Sequence, residues 1–87
     1  MSGTLKSGST VTRPKLRRTF IVVITLNGER FELERPLSVT GLLERLEIDP
    51  RRVAVEHNLT IVRRKTYDEV VIDEGDSVEI VNFVGGG

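Results

Sequence analysis

Only one stretch of this chain carries the period of a helix. In PLSVTGLLERLEIDP, Val39, Leu42, Leu43 and Leu46 fall at i, i+3, i+4 and i+7, a single apolar stripe. The other apolar runs are strand-like. One helical stripe among several strands leaves few arrangements, because the stripe must be buried against one face of a sheet. The sequence therefore predicts an α+β fold, a mixed sheet with one main helix packed on one face. Ser38 is placed to cap the helix N-terminus and Asp49-Pro50 to stop it. Gly41 inside the helix costs about 1 kcal/mol relative to Ala.

The strands are read from alternation. Phe20, Val22, Ile24 and Leu26 alternate with Ile21, Val23 and Thr25, so the first strand is apolar on both faces. Asn27-Gly28 then signals a hairpin, since both central residues of a type I′ turn need positive φ. Phe31 and Leu33 alternate with Arg30, Glu32 and Glu34, a second strand with one wet face. RRVAVEHN and LTIV predict two further strands. RRKTYDEVVI reads as a loop or single helical turn leading into an extended piece. Asp73-Glu74-Gly75-Asp76 forms a turn before a last strand, SVEIVNFV, with Val78 and Ile80 on one face and Val81 and Phe83 on the other.

Charge divides the chain. Its formal net charge is zero, with 13 basic and 13 acidic residues. Residues 1–18 hold Lys6, Arg13, Lys15, Arg17 and Arg18 and no acid, so the remainder carries all the acids. The basic segment 1–18 is poor in large apolar residues and reads as a disordered leader. A solvated tail, a transit peptide and a nucleic-acid arm are the readings open to it. Residues 19–84 form one domain, near the lower size limit for independent folding. The 87 residues include no cysteine, which excludes disulfides, Cys-ligated zinc, iron–sulfur clusters and a cysteine nucleophile. No apolar run reaches the roughly 18 residues of a membrane span and no secretory signal is visible, so a cytoplasmic location is expected.

Several residues invite a functional reading. Gly85, Gly86 and Gly87 make a slim, pliable tail after the last strand, either a frayed end or a peptide able to thread a narrow channel. Asp73, Glu74, Asp76 and Glu79 do not have the spacing of a calcium loop and read as a solvated acidic turn; no metal site is expected. His57 lacks an evident acid–nucleophile pair and reads as structural. Arg63-Arg64-Lys65 has no interleaved aromatics and sits in an acidic domain, which argues against nucleic-acid binding. One helix covers one face of a sheet, so Ile21, Val23, Val81 and Phe83 are candidates for a partner interface, unless the loop 59–72 covers them.

Taken together, LNGERFELERPLSVTGLLERLEIDPRRVAVEHN, the turn DEGDSVEIV and the ending NFVGGG resemble the ThiS/MoaD group of sulfur carriers over residues 20–87. The resemblance implies a β-grasp, ubiquitin-like fold. It also implies a role as a protein co-substrate and not an enzyme, with no bound cofactor. Gly87 would carry a carboxylate that a ThiF/MoeB-like partner adenylates with ATP. Sulfur from a cysteine desulfurase relay would convert it to a thiocarboxylate, and a ThiG-like thiazole synthase would consume that sulfur in thiamine biosynthesis. Gly86 and Gly85 would be its slim neighbours. A MoaD-like carrier with another client, a protein modifier and a plain interaction domain are the alternatives. Departures from the group are Asn58-Leu59 where Asn-Gly is usual, Arg63-Arg64 after Ile61-Val62, and Tyr67 in place of a common Trp.

Overall fold

The computed structural model describes residues 21–83. The leader 1–18, Phe20 and the glycines 85–87 lie outside them. Among the described residues seven strands and one α-helix come in the order β1 Val22–Leu26, β2 Glu29–Leu33, β3 Leu37–Ser38, α1 Val39–Arg45, β4 Val53–His57, β5 Thr60–Ile61, β6 Val71–Ile72 and β7 Ser77–Asn82. Short 3-10 turns occupy Pro50–Arg52 and Arg64–Thr66. Five strands make one mixed sheet in the order β2-β1-β7-β4-β5; β1 and β7 run parallel and the other neighbours antiparallel. β3 and β6 pair separately as a small second sheet. This second sheet was not expected, because β3 is two residues long and has no period of its own.

Local chemistry accounts for most boundaries. Asn27 and Gly28 both have positive φ, as a type I′ hairpin requires. Ser38 caps α1, its Oγ accepting from the Gly41 N–H at 3.0 Å. The helix stops earlier than Asp49-Pro50. Leu46 is its C-cap, Glu47 turns left-handed at φ 60°, and Ile48 N–H donates to Leu43 O while Glu47 N–H donates to Glu44 O. That pair of bonds is a Schellman motif, usually built on glycine, so the stop is set by backbone capping and not by the proline. Asp49-Pro50 instead opens the next 3-10 turn, where Asp49 Oδ1 accepts from Arg51 N–H at 2.9 Å.

The core lies between α1 and one face of the large sheet. Val39, Leu42 and Leu43 of the helix meet Val22, Ile24, Leu33, Val53, Val55 and Val78, all buried. Each such side chain is worth roughly 1.5–3 kcal/mol when fully buried. Val62, Tyr67 and Ile72 join the same cluster. The segment 59–72 therefore closes the core beside the helix. Its Tyr67 and Val70 carbonyls accept the Thr40 and Val39 N–H groups of the first helical turn, at 3.0 and 2.9 Å. It leaves Val81 and Phe83 uncovered on the other face. One helix on one face of a mixed sheet is the expected arrangement; the parallel β1/β7 pair is added by the structure. Among the described residues no helix is long and apolar enough to cross a membrane.

Candidate functional site

The last strand parts from β1 at an identifiable place. β7 runs beside β1 only at Thr25↔Ser77 and Leu26↔Val78. Beyond that, β1 has already turned at Asn27, and the rest of β7 is held by β4 from Val53↔Asn82 to His57↔Val78. Asn27 seals the break. Its N–H donates to Val78 O at 2.8 Å, and its Oδ1 accepts from Ile80 N–H at 2.8 Å. At the far end Phe83 N–H donates to Arg52 O at 2.9 Å. The described residues thus end at Phe83 on a two-stranded projection of β4 and β7.

The two faces of this projection differ. Val53, Val55 and Val78 point into the core and Ile80 packs against it. Residues opposite one another in a ladder share a face. The outward face therefore carries Phe83, flanked by Arg52 of the adjoining 3-10 turn, then Val81 with Ala54, then Glu79 with Glu56, and Ile61 beside Glu56. Val81 is 58% exposed, Phe83 53% and Ile61 69%. Three large apolar side chains lie on one small face rimmed by charge, the composition common where proteins meet partners.

The four apolar residues named from the sequence do not form one patch. Because β1 and β7 are parallel, Ile21 and Val23 lie at the start of β7 and Val81 and Phe83 at its end. Gly75 N–H donates to Val23 O at 2.8 Å, and Val81 is six residues further on, about 20 Å along the strand. Ile21 borders a separate hollow with Glu32, Leu33, Glu34 and Arg45. The sequence reading missed Arg52, Ala54, Glu56 and Ile61, whose relevance comes from register. It also missed Leu59, which is 89% exposed at φ 72° in the β4–β5 turn.

The other polar groups are structural. Asp76 Oδ2 accepts from His57 Nε2 at 2.8 Å and from Asp73 N–H at 2.8 Å, and its Oδ1 from Asn58 Nδ2 at 3.2 Å. Burial pushes the Asp76 carboxyl up, but the bonds from His57, Asp73 and Asn58 outweigh it and hold the group below its ordinary value. Glu74 Oε1 accepts from Val23 N–H at 2.8 Å, and Asp73 Oδ1 from Glu74 N–H at 2.6 Å. Asp73, Glu74 and Glu79 are exposed, as the sequence reading of a solvated acidic turn expects, while Asp73, Glu74 and Asp76 also accept from backbone donors and Glu74 docks the turn to β1. Among the described residues no three metal-ligating side chains cluster. At the tail end Asp49 holds Arg51 through two bonds, of 3.2 and 3.3 Å; that side-chain bonding is the main reason its carboxyl lies below the usual range. Arg52 reaches Asp49 only at 3.8 Å and is 82% exposed.

Comparison with known proteins adds to this geometry. The ThiS family model matches residues 24–87. A thiazole synthase of Paramagnetospirillum magneticum is 44% identical over 64 residues, 74% of this chain and 20% of that protein. The sulfur carrier protein ThiS of Bacillus subtilis is 33% identical over 66 residues, 75% of this chain and 100% of that one. A crystal structure of a thiamine biosynthesis protein (ThiS) from Geobacter metallireducens superposes with a TM-score of 0.68 at 33% identity, over 76% of this chain and 100% of that chain. The chain spans only 20% of the length of the thiazole synthases it matches.

Proposed function

Because the chain belongs to the ThiS family, we propose that it is a sulfur carrier whose Gly87 carboxylate is the chemical group. A carboxylate resists nucleophiles until its oxygen is made a leaving group. An ATP-dependent, ThiF/MoeB-like partner supplies this step: a Gly87 oxygen attacks the α-phosphate of ATP, pyrophosphate leaves, and an acyl-adenylate remains. The outer sulfur of a persulfide, charged by a cysteine desulfurase relay, then attacks the acyl carbon and AMP leaves; a second thiol of the relay cleaves the acyl disulfide so formed, making a disulfide with the first and releasing the thiocarboxylate. The chain is consumed and regenerated as a co-substrate; the catalysts are its partners. Gly85 and Gly86 supply a segment without Cβ atoms that fits a narrow channel.

The observation that carries this reading is the end of β7. Among the described residues the ladder runs to Phe83 N–H and Arg52 O, beside an exposed apolar face, four positions before Gly87. Thiazole formation in thiamine biosynthesis is the favoured client. Support comes from two thiazole synthases of about five times the matched length, each containing a segment similar to this chain. A carrier joined to its consumer meets it at high effective concentration. The test is the intact mass of the chain after incubation with ATP, the cognate adenylating enzyme and sulfide. The expected result is the gain from replacing one oxygen by sulfur. An unchanged mass, with the enzyme active on another carrier, would reduce the protein to a binding module.

A further inference from the structure

β2 is an open edge of the large sheet. It pairs with β1 on one side and, among the described residues, has no strand on the other. The hydrogen bonds of β1 identify which peptide groups of β2 are free. β1 turns Thr25 N–H, Asn27 N–H and Val23 O towards β7 and the turn before it. Strand peptides alternate in direction, so Val22, Ile24 and Leu26 bond to β2 through their partners Leu33, Phe31 and Glu29. The N–H and C=O groups of Arg30 and Glu32 therefore point out from the sheet edge. Their side chains share the wet face, where Arg30 Nη1 lies 2.6 Å from Glu32 Oε2, and they are 67% and 45% exposed. Phe31, between them, is half-buried on the helix side, with the Arg45 guanidinium 5.8 Å from its ring centre. The opposite edge of the sheet, β5, is only 2 residues long. β2 offers 5 and contains neither proline nor lysine, the usual guards of an open edge.

We propose that β2 is a self-pairing edge whose occupant is the β2 strand of a second copy of this chain. Two such strands, antiparallel about a two-fold axis through Phe31, bring Arg30 of each copy opposite Glu32 of the other. Three requirements are met in that one register. Arg30 and Glu32 hold the outward peptide groups, so both pairs between copies are of the hydrogen-bonded type and exchange N–H···O bonds in both directions. The same pairs set opposite charges directly across from one another, twice by symmetry. The two Phe31 rings meet at the axis in a non-hydrogen-bonded position, where side chains come closest. The neighbouring registers that keep the peptide groups in phase set Arg30 against Arg30 or Glu32 against Glu32. A foreign strand would need this alternation of charge; a second copy carries it already. The contact is well below the roughly 1,200–2,000 Å² of stable complexes, so the dimer is weak and reversible, with a Kd of about 0.1–1 mM. The outward face of β4 and β7 stays free, because β1 separates β2 from β7. The pairing does not depend on the carrier chemistry.

The test is sedimentation equilibrium of the full chain from about 10 μM to 2 mM, a range that brackets this Kd. Wild type is compared with Arg30→Glu, Glu32→Arg, the double exchange, and an equimolar mixture of the two single variants. Each single variant sets like charges opposite one another in both pairs and is expected to raise Kd about tenfold or more. The double exchange restores opposite charges and is expected to associate as wild type does. The mixture sets acid against base in both pairs, so heterodimers are expected at least as readily as wild-type dimers. Amide NMR shifts that follow concentration should centre on Arg30, Phe31 and Glu32. Melting temperatures should hold, since both substituted side chains are exposed. A wild-type chain still monomeric at the top of the range would overturn the proposal. So would single variants that dimerise like wild type, a mixture that stays monomeric, or shifts centred on Val81 and Phe83.

Discussion

Leu59 holds a backbone conformation that suits glycine. In the β4–β5 turn Asn58 and Leu59 have φ of 52° and 72°, and Leu59 is 89% exposed, so its side chain recovers little by packing. Replacing it with glycine removes the left-handed penalty of about 1–2 kcal/mol and adds back some chain entropy. Leu59→Gly is therefore expected to stabilise the domain by about 1 kcal/mol, read as a rise of several degrees in Tm. A fall would mean that the leucine packs in solution. Asp76 works in the opposite sense. Its folded pKa is depressed, so its stabilisation is complete above about pH 4 and drains away as pH falls through the lower folded value. Asp76→Asn should cost about 1–3 kcal/mol at neutral pH, because an amide cannot accept from His57, Asp73 and Asn58 together. Melting curves from pH 7 to pH 3 should show the gap to wild type closing at the acid end. A gap constant with pH would remove the carboxylate from that account.

The elements differ in how far their own residues specify them. The α1 stripe, its Ser38 cap and the Asn27-Gly28 hairpin were legible because each depends on neighbours within a few positions. The helix stop was misread: Pro50 looked decisive, yet the carbonyls of Leu43 and Glu44 are already satisfied by Ile48 and Glu47 N–H groups. Ile48 packs back against the core cluster and makes the early stop favourable although Glu47 must go left-handed. Gly41 has no such tertiary reason. A Cβ there would meet Ser38 Oγ at 3.4 Å and Leu37 Cβ at 3.5 Å, ordinary contact distances, and its φ is not positive. Gly41→Ala is thus expected to raise stability by about 0.5–1 kcal/mol through helix propensity and a less flexible unfolded chain. Thermal melts followed by circular dichroism test this; a lower Tm would show that Ser38 and Leu37 cannot yield.

At the scale of the molecule, the parallel register of β1 and β7 has the largest consequence. It sets Ile21 roughly 25 Å from Val81 along the strand direction, although both are exposed apolar residues on the sheet. Val81→Asp is therefore expected to weaken binding to the proposed adenylating enzyme about tenfold or more, while Ile21→Asp leaves it unchanged, both at near wild-type stability. Titration calorimetry with that partner decides; equal losses would mean a single interface spanning both ends. The sequence by itself determined the α+β class, the helix and its stripe, the hairpin, the core residues of β1, β4 and β7 and the glycine tail. All of these come from period and from turn chemistry, which act over a few residues. Tertiary structure alone decided which apolar residues share a patch, that segment 59–72 closes the core, that Asp73, Glu74 and Asp76 serve backbone donors, and that Arg52 stands opposite Phe83. Those facts depend on strand order and register, which pair residues up to 53 positions apart and leave no local trace in the chain.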